Sequence, residues 1–307
     1  MRVLVDGSGG RWMGKSARKQ LLETGCKLCR YHKTELRHIG RLNNRDHRKI
    51  AVIDGSIGYV GGHCVVDSWL GDAEDKNHFR DLSVRLRGPI VHDLQVTFSE
   101  NWVAETGELF AGEGVFPALT QAGHVLAHVA RIRPSGSSSA VKILHHLAIG
   151  FARKRLWIQN PYFIPDPEAI DMLVYAVERG VDVRIMTTAL EASDMPLVQH
   201  AAHHNFDKLL AGGVRIFEYQ RTLLHQKVIA VDDVWCAVGS SNFDDRSFEI
   251  NDEVTVGFFD SDLTHHLMEI FERDRALCIE RTLDEWQQRG VVARLRDFAY
   301  YIINEQL

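Results

Sequence analysis

The chain has 307 residues, 45% of them hydrophobic and 25% charged, with a formal charge of −5; this is ordinary globular usage, enough for one large or two modest domains. The acidic balance excludes a general polyanion binder, and no apolar run reaches the about 20 residues that a membrane-spanning helix needs. Five cysteines, an odd number with no secretory leader read ahead of them, lead us to expect thiols in a reducing compartment.

Taken in chain order, alternating apolar residues predict strands at 2–5, 48–54, 82–87, 128–132, 155–159, 182–187, 213–217, 226–231 and 253–258. Helical periodicity predicts helices at 89–106, 138–152, 166–179, 195–211 and 261–277. Strands alternating with helices imply an α/β protein whose sheets are covered by helices. Cys26 and Cys29 form a C-x-x-C without a second pair at zinc spacing, so they read as two small side chains on a strand, and no metal site is expected there. Arg41, Arg45, Arg48 and Lys49 form a local basic cluster able to meet phosphate.

An internal repeat is the most informative feature. DHRKIAVIDGSIGYVGG (46–62) and LHQKVIAVDDVWCAVGSS (224–241) share H-x-K-x4-D followed by a small pair, Gly61-Gly62 and Gly239-Ser240. One such motif arises by chance with odds of roughly one in twenty-five, so two copies with the same downstream turn are not accidental. MRVLVDGSG at the start also matches VDVRIMTTA at 181–189, so each half runs strand, helix, strand, motif. Asp81 and Glu253 then head the alternating runs LSVRL and VTVGF. The second half opens with an extra strand–helix unit, RKRLWIQNPYFIP and the helix 166–179, which the first half lacks. The expected lobes are 1–125, truncated at its start, and 126–307, ending in a helical tail.

Residues i and i+2 of a strand share a face, so His47 projects with Lys49 and His225 with Lys227. Asp54 and Asp232 fall on the opposite face and read as structural. Two halves packed about a pseudo-twofold axis bring two imidazoles and two ammonium groups to one cleft, an arrangement suited to a phosphodiester. The lysines, the Asn242 amide and Ser240 would hold phosphate oxygens. One neutral imidazole attacks phosphorus, and the other, protonated, serves the departing oxygen. An ordinary imidazole pKa of about 6.5 permits both states. Asp81 and Glu253 are the candidate carboxylates for orienting the rings, and no cofactor or metal is required. Cys64 stands where the second motif has Asn242.

HRKIAVIDGSIGYVGG, DSWLGD with HFRDLSVRLRGPIV, NPYFIPD, LLAGGVRIFEY and LHQKVIAVDD with GSSNFDDRSFEINDEV resemble the phospholipase D superfamily and, within it, bacterial cardiolipin synthases. The resemblance implies two pseudo-symmetric α/β lobes with one shared site. It also implies membrane-associated phospholipid substrates and phosphatidyl transfer from one phosphatidylglycerol to another through a phosphohistidine. By analogy His47 is the nucleophile and His225 the general acid. The expected location is the bacterial membrane, peripheral for this chain, or the cytoplasm if no anchor is present. Rivals with the same site are a phospholipase D, a phosphatidylserine synthase or a nuclease; nucleic acid is disfavoured by the acidic chain. A rival of another class is an inactive lipid-binding fragment or paralogue.

Smaller features remain. His200, His203 and His204, at helical spacing, read as a polar face of the cleft mouth rather than metal ligands. Tyr162 and Phe163 read as packing beside the site. The tail carries an apolar stripe at Val291, Val292, Leu295, Phe298, Ile302 and Ile303, expected to dock on the body or to lie on a bilayer.

Overall fold

The computed structural model describes residues 1–31, 44–132 and 139–303; Arg41 of the basic cluster lies outside them. The first lobe runs β1 (Arg2–Val5), α1 (Lys15–Glu23), β2 (Lys27–Arg30), β3 (Ile50–Ile53), β4 (Ile57–Gly61), β5 (Ser83–Arg87) and α2 (Ile90–Thr106). The chain continues through β6 (Leu126–Ile132), α3 (Ala140–Phe151), β7 (Arg155–Gln159), α4 (Pro167–Glu178), β8 (Asp182–Thr188), α5 (Pro196–Ala211) and β9 (Arg215–Tyr219). It ends with β10 (Val228–Val231), β11 (Trp235–Gly239), β12 (Glu253–Phe259), α6 (Ser261–Arg275), β13 (Cys278–Arg281), α7 (Leu283–Gln287) and α8 (Val291–Ile302).

The repeat read in the sequence is a repeat in space. β1, α1, β2, β3, β4, β5 and α2 recur in order as β8, α5, β9, β10, β11, β12 and α6. The motif hairpins share one register: Ile50 lies opposite Val60 as Val228 lies opposite Val238, and Ile53 opposite Ile57 as Val231 opposite Trp235. Each hairpin turns at its motif aspartate, with Asp54 at φ 51° and Asp232 at φ 54°, left-handed values that aspartate tolerates. Gly61 and Gly239 end β4 and β11 against the neighbouring strands. A Cβ at Gly61 would strike the Leu82 carbonyl, and one at Gly239 would strike Thr255 and the Val254 carbonyl.

The lobes differ at one strand. In the second, the sheet order is β13-β9-β8-β7-β10-β11-β12-β6, with β7 parallel to β8 and antiparallel to β10. In the first, β1-β2 and β3-β4-β5 are separate sheets, and no strand among the described residues joins β1 to β3. The burial follows: β10 is buried throughout, whereas Ile53 of β3 is 48% exposed. Asp232 also closes on the extra strand, its carboxylate accepting the N–H groups of Arg153 (2.9 Å), Lys154 (2.6 Å) and Arg155 (2.9 Å) at the entry to β7.

Two cores matter for the site. One fills the second lobe around Leu156, Ile158, Ile185, Ile216, Phe206 and Phe243. The other is shared, Val60, Leu86, Val91 and Leu94 of the first lobe packing on Val228, Val238, Val254, Val256 and Phe258 of the second. Apolar area in this joint core is removed from water only when the lobes meet, so their docking is driven by the hydrophobic effect.

The C-terminal helix docks on the body, but not through its apolar stripe. Val291, Val292, Leu295, Phe298, Ile302 and Ile303 are exposed, while Asp297 is buried against α5 and Tyr300 and Tyr301 pack on the second-lobe core. Of the three histidines of α5, His200 and His204 face this helix, and His203 faces β9 and α7. His200 Nδ1 meets Asp297 at 2.9 Å, His203 Nε2 meets Glu218 at 2.6 Å, and His204 packs on Tyr301. Arg289 pairs with Asp297 at 2.7 Å, and Arg281 pairs with Glu218. The carboxylates of this buried cluster are thereby neutralised by arginine.

Asp232→Ala and Asp54→Ala share the same backbone strain, but only the first loses hydrogen bonds to three N–H groups. In urea unfolding, Asp232→Ala is expected to cost roughly 1–2 kcal/mol more than Asp54→Ala; equal losses would contradict the role assigned to Asp232.

Candidate active site

The two motifs meet at the lobe boundary through a pair of short parallel bridges, Asp46 with Asp252 and Leu224 with Arg80. The backbone around each histidine brackets one residue of the opposite lobe. Asp252 N–H donates to Arg45 O (2.8 Å) and His47 N–H to Asp252 O (3.0 Å); Arg80 N–H donates to Leu223 O (2.8 Å) and His225 N–H to Arg80 O (2.6 Å). Asp252 and Arg80 immediately precede Glu253 and Asp81, so each bridge delivers a carboxylate from one lobe to the imidazole of the other. His47 Nδ1 lies 2.8 Å from Glu253 Oε1, and His225 Nδ1 lies 2.8 Å from Asp81 Oδ2. Both carboxylates are fully buried.

With Nδ1 on a carboxylate, each ring turns Nε2 away from it, the tautomer a nucleophile or proton carrier needs. The His47 side chain is 28% exposed and that of His225 8%. Burial pushes His225 down to about 3, Lys227 pushing the same way while Asp81 pulls it up. His47 is lowered as well, chiefly by burial, against the pull of Glu253. Burial alone would raise Asp81, but His225, Lys227 and Trp69 outweigh it and keep the carboxyl below its usual range.

Lys49 Nζ donates to His47 O at 2.7 Å and Lys227 Nζ to His225 O at 2.8 Å, each ammonium resting on its own motif histidine. A lysine has three donors, so each keeps two for a ligand. Lys227 is 5% exposed, and burial pushes it down to about 7, with Lys49 opposing its charge and Asp81 and Glu253 supporting it. Lys227 thus loses its ordinary insensitivity to pH.

Of the residues expected to hold phosphate, Asn242 is part-buried beside the second hairpin, its side-chain oxygen buried without a hydrogen-bond partner. Ser240 lies beside Glu253. It is wholly buried, its hydroxyl donates to Glu253, and it accepts the Val254 N–H at 3.1 Å, so it holds the carboxylate behind His47. Gly62 is its counterpart, and a Cβ there would strike the Asp81 carboxylate and the His225 carbonyl. Arg48 of the basic cluster is committed to structure, donating to Thr97 O at 2.9 Å and Ile132 O at 2.8 Å. Phe163 is buried against Phe243, and the Tyr162 hydroxyl bonds Asp194. Sequence reasoning missed Trp69, whose indole N–H reaches Asp81; it lies outside both motifs and carries no periodic signal.

Two α/β lobes that meet at the paired histidines, each contributing a His-x-Lys strand, give the chain a phospholipase D-like fold. Among solved structures, the phosphatidylserine synthase of Haemophilus influenzae superposes on 100% of this chain and 83% of its own, with a TM-score of 0.75 at 12% identity, a likeness of fold. Residues 147–275 match the family described as cardiolipin synthase, PLD-like domain. The chain is 32% identical to cardiolipin synthase 2 of Staphylococcus epidermidis over 97% of its own length and 61% of that relative. It is 33% identical to cardiolipin synthase of Staphylococcus aureus over 97% of its own length and 60% of that relative. It therefore spans about three fifths of the curated relatives it matches. Within that fold, the sequence is similar to cardiolipin synthases.

A depressed lysine pKa has a stability consequence whose sign is fixed. Between about 7 and 10.5 the unfolded chain binds a proton at Lys227 that the folded chain does not, so this residue's contribution to stability rises with pH across that window and is least favourable below it. Lys227→Met is expected to raise the melting temperature at pH 6 by about 2 °C or more and to flatten that rise; a lowered melting temperature would show the cation to be net stabilising.

Proposed function

We propose that this chain carries a phosphatidyltransferase site that makes cardiolipin from two phosphatidylglycerol molecules. The observation that carries the reading is the crossed pairing of His47 with Glu253 and His225 with Asp81, two oriented imidazoles with two lysines beside them. Similarity to cardiolipin synthases supports the choice of lipid. The division into lobes 1–125 and 126–307 is supported by β6, the first strand after it, which pairs with β12 of the larger sheet.

In the proposed sequence Nε2 of neutral His47, the more exposed ring, attacks the phosphorus of one phosphatidylglycerol. The P–O bond to the headgroup glycerol breaks, and that oxygen takes the proton of His225, so glycerol leaves and a phosphohistidine remains. The terminal hydroxyl of a second phosphatidylglycerol then gives its proton to His225 and attacks the same phosphorus, which frees His47 and forms cardiolipin. Atoms balance as two phosphatidylglycerol to one cardiolipin and one glycerol. Lys49 and Lys227 hold the non-bridging oxygens, where charge grows in each transition state. Because burial by itself sets His225 so low, the anionic phosphate supplies the field that lets it hold a proton. Glu253 and Asp81 keep both rings in the Nδ1–H tautomer and support the imidazolium.

The same site with water as acceptor would be a phospholipase, and with a nucleic-acid donor a nuclease. No helix among the described residues is long and apolar enough to cross a membrane, and we place the substrate at a bilayer or micelle surface.

Incubation with labelled phosphatidylglycerol in mixed micelles is expected to yield cardiolipin and free glycerol, with no cleavage of DNA in a parallel reaction. His47→Ala and His225→Ala are each expected to reduce transfer at least about 1,000-fold, since the two groups act as a unit. Full activity in either variant, or DNA cleavage without lipid turnover, would overturn the reading.

A further inference from the structure

We propose that Trp69 is a positioning residue for the transfer reaction: its indole N–H fixes the carboxylate of Asp81 and moderates the hold of that carboxylate on His225. This deepens the two-histidine reading above and rests on it.

Trp69 lies between β4 and β5. Its Nε1 donates to Asp81 Oδ2 at 2.7 Å, the oxygen that also meets His225 Nδ1 at 2.8 Å. The other oxygen, Oδ1, accepts the N–H of Leu82 at 2.7 Å. Asp81 therefore has three donors around a buried carboxylate and cannot turn without losing one. The indole stands edge-on to the His225 ring, with centroids 5.2 Å apart at 86°. Phe79 backs it at 4.8 Å and 83°. The Phe79 N–H donates to Ser68 O at 2.7 Å, tying the turn that carries the indole to the segment that delivers Arg80 and Asp81.

The other half-site shows the same need met differently. Glu253 takes a second donor from the Ser240 hydroxyl. At the matching position the first motif has Gly62, where any side chain would strike Asp81 and the His225 carbonyl. A donor from the motif itself is sterically barred, and the indole enters from the side.

The consequence lies in proton transfer. A carboxylate that accepts fewer hydrogen bonds is a stronger base, binds Nδ1–H more tightly and makes the imidazolium a weaker acid. The charged groups facing His225 are Asp81, Lys227 and Lys49, and those facing His47 are Glu253, Lys49 and Lys227. Trp69 touches one carboxylate of this set, so its effect falls on one histidine.

Trp69→Phe keeps an aromatic edge against His225 and removes the N–H. With labelled phosphatidylglycerol, kcat is expected to fall about tenfold with KM changed less than about twofold. In NMR of histidine-labelled protein, the Nδ1–H proton of His225 is expected to move downfield while that of His47 stays. Ser240→Ala is the mirror case, moving His47 and sparing His225. An unmoved His225 resonance, or equal movement of both histidines, would overturn the proposal. If Trp69→Phe does not fold, the wild-type protein still decides: the Trp69 indole N–H, bonded to a carboxylate, must resonate downfield of the other indoles and exchange slowly, and an ordinary, fast-exchanging signal would overturn the proposal. These resonances are read without turnover, so they stand apart from the His225→Ala assay, whose full activity would sink the two-histidine reading instead.

Discussion

The structure turns on one exchange: each motif histidine takes its carboxylate from the other lobe. His47 is held by Glu253 and His225 by Asp81, and two-residue parallel bridges bring each carboxylate into place. Neither half of the chain can build an oriented imidazole by itself. A buried carboxylate without its imidazole would be an unpaired charge, so separating the lobes costs electrostatic as well as hydrophobic free energy. Assembly of the site and docking of the lobes are therefore one event, driven by the joint core of Val60, Leu86 and Leu94 against Val228, Val254 and Phe258.

Around this exchange the pseudo-symmetry is strict in the backbone and loose in the side chains. Gly61 and Gly239 are both required, because each passes its neighbouring strand too closely for a Cβ. One residue later the halves diverge, Gly62 making room for Asp81 where Ser240 donates to Glu253. The histidines diverge as well: His225 is more enclosed than His47, and burial pushes it down to about 3. Two chemically different imidazoles suit a reaction in which one attacks and the other carries a proton. Lys227, buried and pushed down to about 7, shows the same tension between a stable interior and a reactive one.

The lobes also diverge in completeness. In the second, β7 sits between β8 and β10 and is pinned at its entry by Asp232. In the first, the described strands form two sheets, and the side of β3 that β10 buries against β7 is partly open. The first-lobe half of the site nevertheless forms, because His47 and Asp81 are held by contacts to the second lobe rather than by the sheet between β1 and β3.

The sequence by itself determined most elements, the repeat and the inward pairs His47 with Lys49 and His225 with Lys227, because those follow from periods of 2 and 3.6 and from a motif copied twice. It also marked Asp81 and Glu253 as the carboxylates in play. Which histidine takes which was beyond it: the partners lie 206 and 144 positions apart, and local periodicity is silent on how two lobes dock. The duty of Ser240, the indole of Trp69 and the outward turn of the α8 stripe were decided by tertiary structure for the same reason. Each is a matter of which surface meets which, and that is fixed by packing across the fold rather than by the residues on either side.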